Sequence, residues 1–344
     1  TQIDGIWAMM MSFDGYSFCK PHSASYARVS CQAAYLKRHH PAPFMAAVIS
    51  NQGGFYGTFA YVSEARRLGL TIRPPDVTCS RERWTGAGTT LRVGLMAIKA
   101  LGRATRERIV AAREQRDFLS LEDFLERVRP DEAEIRALIQ CGGCDSLADG
   151  QDRAALLWHA ARWARQREEA RPSPGRGGRR SAAGAGPGDA AVGAAPIPGE
   201  LFTDEAPAPR LPPGNERQRL RDEFAVLGFL CDRHPMVFFR EEAARQGALP
   251  LAALPGQVGR RVRGAGWLIT GKLVSTKRGE PMEFLTFEDE ADTVEATFFP
   301  RVYREFCDIL DWGRPYLLAG RVEEEFGATT LTVERVCALG RRSP

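Results

Sequence analysis

The stretch from Gly15 to Ile49, GYSFCKPHSASYARVSCQAAYLKRHHPAPFMAAVI, carries the reading from which the rest follows. Ser23 is a natural N-cap. Tyr26, Val29, Ala33 and Leu36 then recur at helical spacing, which predicts a helix with these four on one buried face. Lys37, Arg38, His39 and His40 crowd the last turn, where cations complement the helix dipole. Pro41 and Pro43 stop this helix, and Phe44 to Ile49 begin a second, more apolar one. Just upstream, Phe18-Cys19-Lys20-Pro21-His22-Ser23 is a short polar loop with Lys20 and His22 beside the helix start. Free backbone N–H groups next to a cation suit a phosphate. The spacing by itself is equally met by a two-helix piece of an all-α domain with a solvated basic end.

Working outward, Ile3 to Phe13 is apolar and Met-rich at helical spacing (Ile6, Met9, Met10, Phe13) and is expected to pack under these helices. Downstream, a glycine-bearing turn at residues 51–57 leads into a helix from Thr58 to Leu68, ended by Gly69. Leu70 to Val77 is extended and closed by Pro74 and Pro75.

Leu91 to Leu147 has the plan of two helix-hairpin-helix units. Val93 to Ala100 is expected to be helical, Leu101-Gly102-Arg103-Ala104 a tight hairpin, and Thr105 to Gln115 a second helix. A hairpin glycine lets a DNA phosphate approach the backbone closely, and the next helix presents its free N–H groups. The usual second hairpin glycine is Ala104 here. Lys99, Gly102, Arg103, Thr105 and Arg106 are the candidate DNA contacts, with Arg108 also near the turn. Phe118 to Val128 is a connecting helix. Glu132 to Gln140 then opens a second copy whose turn, Cys141-Gly142-Gly143-Cys144, adds Gly142 and Gly143 to the candidates. The same segment read as an ordinary αα-hairpin needs no ligand. The Cys-x-x-Cys spacing invites a zinc or redox reading, but no second such pair supplies the remaining ligands and no βαβ context surrounds it; no metal site is expected.

Residues 171–214 are rich in Gly, Ala, Pro, Ser and Arg and read as a flexible linker. Within it, Leu201 and Phe202 form an apolar island of the kind that docks on a partner. Asn215 to Gly247 is helical again, and His234 there reads as a turn residue. From Val262 on come five strand patterns, with a helix from Pro300 to Leu310 between the third and fourth, the order of an OB-fold. Lys272, Lys277, Arg278, Phe284 and Phe287 could hold a single strand by charge and stacking, although Glu323-Glu324-Glu325 makes the fourth strand partly acidic.

The chain has 344 residues, which allows two or three domains, and its 44% hydrophobic and 26% charged content is that of globular protein. A net charge of +4 permits nucleic acid as a partner without requiring it. Eight thinly spread cysteines, no signal peptide and no bilayer-length apolar run point to a reduced, cytoplasmic setting without membrane contact. Thr1 is not a natural start residue and sits within a helical pattern, so the sequence is expected to be a piece whose N-terminal part lies elsewhere.

The literal string from Gly15 to Ile49 closely resembles the signature in the fingers domain of bacterial DNA polymerase III alpha subunits, Gly-Tyr-x-Phe-x-Lys-x-His-Ser-x-x-Tyr followed by Tyr-Leu-Lys-x-His-x-Pro. The order of the later parts is similar too. The resemblance implies a multidomain α + β chain with an α-helical end of fingers at 1–78, a tandem helix-hairpin-helix module at 79–170 and a linker at 171–214. A helical connector at 215–257 and a C-terminal five-stranded OB-fold barrel at 258–340 complete it. It implies DNA-directed DNA synthesis in replication or damage-tolerant synthesis, with Lys20, His22 and Ser23 toward the incoming deoxynucleoside triphosphate. Primed template DNA, the sliding clamp (through Leu201 and Phe202, with Pro198 in place of a leading Gln) and other polymerase III holoenzyme subunits are the implied partners. Mg2+ in the intact enzyme would be held by palm carboxylates upstream of Thr1. No catalytic residue is expected in this stretch, which alone should be inactive. The rival is a non-enzymatic DNA-binding accessory protein built from the same hairpins and barrel.

Overall fold

The computed structural model describes residues 2–14, 20–52, 54, 56–169, 214–325 and 327–340. In chain order its helices and strands are α1 (Gln2–Asp14), α2 (Lys20–His39), α3 (Pro41–Asn51), α4 (Thr58–Arg67), β1 (Thr71–Arg73), β2 (Thr85–Ala87) and β3 (Thr90–Arg92). There follow α5 (Arg103–Gln115), α6 (Leu121–Val128), α7 (Glu132–Gln140), α8 (Arg153–Glu169), α9 (Glu216–Leu227) and α10 (Arg240–Arg245). The rest are β4 (Arg261–Ser275), β5 (Pro281–Glu288), β6 (Thr293–Phe298), α11 (Pro300–Phe306), β7 (Pro315–Glu325) and β8 (Ala328–Ala338). They form two compact units, one of residues 1–73, 83–93 and 231–344, the other of residues 74–82 and 94–230.

In the first unit, α2 starts at Lys20, so Ser23 lies inside the helix and is not its N-cap. Pro41 stands at the start of α3 with His40 as N-cap, a position where the missing N–H of proline removes no helical bond. The expected buried face of α2 is a correction: Tyr26, Val29 and Leu36 are 67%, 60% and 44% exposed. Ile6 and Met9 of α1 are exposed likewise, so α1 is not packed as its pattern suggested. Helical spacing says which residues share a face, not whether another element covers it. The buried helix is α3, through Ala42, Met45, Ala46 and Ile49. It lies on a small sheet of order β1-β3-β2, with β1 parallel and β2 antiparallel to β3. Gly86 of β2 runs so close to Ala42 that a Cβ there would strike the Ala42 carbonyl.

The same unit contains a closed barrel of order β4-β5-β6-β8-β7, with β6 and β8 parallel and all other pairs antiparallel. This is OB-fold topology, with α11 between the third and fourth strands. Alternate residues point inward: Leu285 and Phe287 from β5, Val294, Ala296 and Phe298 from β6, Leu331 and Val333 from β8. Tyr316 is fully buried, yet its hydroxyl donates to the Ile309 carbonyl at 2.8 Å and accepts from the Asp311 N–H at 2.6 Å. Leu251 and Leu254, from a 3-10 segment before β4, complete the core.

The second unit holds α5 to α9. Val93 to Ala100 is not the expected helix. Strand β3 ends just before it, and only a 3-10 turn, Leu95–Ala97, follows Gly94. Helix α6 is capped by Ser120, and α7 by a reciprocal capping box between Asp131 and Glu134. The linker expected at 171–214 lies, but for Gly214, outside the described residues.

Candidate nucleic-acid interface

The first hairpin of the second unit runs from the 3-10 turn through Ala100 to α5. Ala100, at φ 68°, and not Ala104, occupies the left-handed position. Ala104 sits in the first turn of α5, where alanine is at ease. Lys99, Gly102 and Arg103 are exposed around the turn. Lys99 Nζ donates to the Ala225 carbonyl at 3.1 Å in the last turn of α9, and Arg103 Nε donates to Glu107 at 2.8 Å. Arg106 is half-buried, and its Nε has no hydrogen-bond partner among the described residues. Beside the turn opens a groove of about 510 Å³ whose lining includes Lys99, Arg136 and Glu132.

Three details differ from the expected site. Gly102 was expected to let a phosphate approach the backbone closely, but its N–H donates to Glu134 Oε1 at 3.0 Å. Glu134 is buried, and its other oxygen accepts from the Asp131 N–H at 3.0 Å. Thr105 is buried and its hydroxyl accepts from Arg108 Nη2 at 2.7 Å. Arg108 also donates from Nε to the Val128 carbonyl at 2.8 Å, so it is exposed but engaged in tying α5 to the end of α6. Lys99 and Arg103 are the other exposed basic side chains at this turn, with Arg106 half-buried beside them.

The second hairpin is closed. Gly142 and Gly143 are both buried, and their N–H groups donate to the carbonyls of Ile139 and Leu138 at 3.0 and 2.7 Å, which ends α7. Gly142, at φ 82°, lies directly beneath the guanidinium of Arg153, which binds Asp145 through Nε at 2.9 Å and Nη2 at 2.7 Å. These glycines are not placed to receive a phosphate; they let Arg153 seal the turn. Cys141 and Cys144 are free and buried. Burial pushes the Cys141 thiol up to about 12 and raises Cys144 as well, so both are inert thiols at neutral pH. Among the described residues, no three His, Cys, Asp or Glu side chains gather as a metal would require.

On the barrel, Lys272 of β4 stands directly opposite Phe284 of β5, which in turn is paired with Thr297 of β6. Since the alternate residue Leu285 is interior, this row lies on the outer wall, with Lys272 exposed and Phe284 half-buried. Phe287 is a correction: it is fully buried inside the barrel and is not placed to stack on a base. Lys277 and Arg278 are exposed at the tip of the β4–β5 turn, which Thr276 closes through hydrogen bonds with Glu280 and Gly279. Sequence reasoning passed over Trp312, 61% exposed beside Gly271, whose signal was a Trp-Gly turn next to a strand. Glu283, half-buried on β5, has its pKa raised by burial alone.

In the same unit, Lys20 begins α2, and His22 and Ser23 follow in its exposed first turns. Leu201 and Phe202 lie outside the described residues. An ionic chain that the sequence did not suggest crosses this unit. Lys37 Nζ donates to Glu64 Oε1 at 2.6 Å, and Arg67 Nε donates to Glu64 Oε2 at 3.1 Å. Arg67 Nη1 donates to Glu288 Oε2 at 3.3 Å, and His234 Nε2 meets Glu288 Oε1 at 3.2 Å. His234 Nδ1 accepts from the Met236 N–H at 3.1 Å, so its proton is on Nε2 and is donated to Glu288. Phe59 of α4 packs against both His234 and Trp267, at ring distances of 5.2 and 5.7 Å. His234 is a structural turn residue. Burial opposes ionisation of Glu64, but Lys37 and Arg67 outweigh it and hold the carboxyl below its ordinary value.

Residues 69–156 match the family model described as a helix-hairpin-helix motif. The chain is 29% identical to an error-prone DNA polymerase of Symbiobacterium thermophilum across 98% of its own length and 33% of the relative's. It is 32% identical to a DNA polymerase III subunit alpha of Saccharopolyspora erythraea, over 96% of the chain and 28% of that protein. It thus spans about a third or less of the curated relatives it matches. Among solved structures, an OBody, AM1L10, bound to hen egg-white lysozyme aligns with 28% of this chain and 93% of its own, at 17% identity and a TM-score of 0.23. The OB assignment rests on strand order.

Proposed function

We propose that this chain, a homologue along nearly its whole length of DNA polymerase III alpha subunits and error-prone DNA polymerases, is the DNA-handling C-terminal portion of a template-directed DNA polymerase. The observation that carries the reading is the near-complete span of that homology, which runs through the signature helix α2, the hairpins and the barrel in one order. A plain DNA-binding accessory protein has no need of α2. The exposed apolar side chains of α1 and α2, Trp7, Met9, Tyr26 and Val29 among them, suit a surface that the rest of the polymerase covers.

In this reading the first hairpin grips duplex phosphates through Lys99, Arg103 and Arg106, with the N–H groups of α5 beside them. The barrel row Lys272–Phe284, with Lys277 and Arg278, takes the single-stranded template by charge and stacking. Lys20, His22 and Ser23 face the triphosphate of the incoming nucleotide. Leu201 and Phe202 dock on the sliding clamp, other holoenzyme subunits join, and the protein works in the cytoplasm; no described helix is long and apolar enough to cross a membrane. Divalent cations, Mg2+ in our reading, activate the primer hydroxyl and stabilise the leaving pyrophosphate. We place their carboxylate ligands outside this stretch.

The test is primer extension by the full-length protein with four deoxynucleoside triphosphates and Mg2+. Template-dependent incorporation, together with tighter binding to primed template than to plain single strand, is expected. Tight DNA binding without any incorporation would move the chain to the accessory-protein reading.

A further inference from the structure

Glu288 is fully buried at the end of β5, where an ionised carboxylate survives only if both oxygens are satisfied. One oxygen takes Arg67 of α4 and the other takes His234, from the segment that leads into the barrel. Arg67 in turn holds Glu64, and Glu64 holds Lys37 in the last turns of α2. The barrel is thereby tied to the helix that begins at Lys20.

The geometry of α2 makes this tie matter. Most of the helix is exposed. At its C-terminal end it turns the Pro41 corner into α3, and Lys37 binds Glu64. Lys20 and Lys37 are seventeen residues apart, about 26 Å along a helix. A tilt of about 2° at the held end moves the other end about 1 Å, and a misplacement of that size at a reacting group can cost about a hundredfold in rate.

We propose that Glu288 is a positioning residue: with Arg67 and Glu64 it sets the angle of α2 and so the place at which the Lys20 end meets the incoming nucleotide. The inference rests on the polymerase reading. It assigns to a barrel residue a role in nucleotide use, separate from any contact the barrel makes with DNA.

The experiment compares full-length wild type with Glu288→Ala, Glu288→Gln, Arg67→Met and the Glu288→Ala/Arg67→Met double variant. Single-nucleotide incorporation on a primed template gives KM and kcat, and primed-template affinity is measured alongside. The nucleotide KM is expected to rise on the order of tenfold in Glu288→Ala and Arg67→Met, with DNA affinity changed less than about twofold. Glu288→Gln, which keeps the shape and one acceptor, should recover part of the loss. The double variant should be no worse than Glu288→Ala, since both cut the same chain. Should Glu288→Ala fail to fold, Arg67→Met decides, because Arg67 is partly exposed and can be removed without opening the core. Lower thermal stability with an unchanged nucleotide KM would reduce Glu288 to a structural residue and overturn the inference. A wild type that incorporates nothing overturns the polymerase reading and this inference with it; an active wild type with indifferent variants overturns the inference alone.

Discussion

Ala100 holds a left-handed backbone at the apex of the first hairpin, a conformation that costs a residue with a Cβ about 1–2 kcal/mol and a glycine nothing. Part of that difference is offset by the greater freedom of glycine in the unfolded chain, so Ala100→Gly should stabilise the protein by about 0.5–1 kcal/mol. Ala104→Gly, inside the first turn of α5, should destabilise it by about 0.5–1 kcal/mol. Thermal melts of the two variants, moving in opposite directions, check which alanine replaces the hairpin glycine. Glu64 offers a second test. Its carboxyl is held below its ordinary value of 4.5, so the folded state favours the ionised form. Its contribution is complete above about that pH and is lost as pH falls through the lower, folded value. The stability of wild type should therefore drop more steeply below pH 4.5 than that of Glu64→Gln, as denaturant midpoints across the acid range would show.

At the level of elements, Glu134 couples the two hairpins. As the third residue of α7 it completes the capping box with Asp131, and its free oxygen receives the Gly102 N–H at the start of α5. Glu134→Ala removes both bonds and leaves two part-buried donors unpaired; a loss of about 2–3 kcal/mol is expected, against about 1 kcal/mol for Asp131→Ala. Urea midpoints of the two variants measure the difference. Glu134 was not legible as a hairpin residue, because its second bond spans 32 positions and leaves no mark on local pattern. The helix start at Glu132 was read from the sequence; the Asp131–Glu134 capping box that fixes it was not. Strands β1 to β3 are three residues each, too short for a period of two to appear, and β3 borders the span where a helix was expected. The glycines of the second turn were legible as a turn but not as a buried one, since only the structure shows Arg153 over Gly142.

At the scale of the whole molecule, the barrel was legible because five strand patterns follow one another and the helix falls in its place in the order. The direction of α2 was not, since its anchor lies in a strand read separately. The two candidate surfaces predict separable behaviour in solution. If the first hairpin grips phosphates, Arg103→Ala should weaken duplex binding evenly across sequences and reduce the log–log salt slope by about 1. Phe284→Ala should weaken single-strand binding by about 1–3 kcal/mol and leave the duplex salt slope unchanged, since stacking releases no counterions. Titrations of each variant against both DNAs at several salt concentrations read the two effects independently.

The bond from Arg67 to Glu288 joins residues 221 positions apart, and the unit that contains it is interrupted by residues 94–230. On the ribosome, at about 5–20 residues per second, Arg67 waits some 10–45 seconds for its partner to be made. During that interval the intervening α5 to α9 can assemble from near neighbours, while α4 emerges with Phe59 uncovered. The last strands of the barrel thus complete packing that α4 began some two hundred residues earlier, and α4 spends that interval exposed to chaperones and proteases.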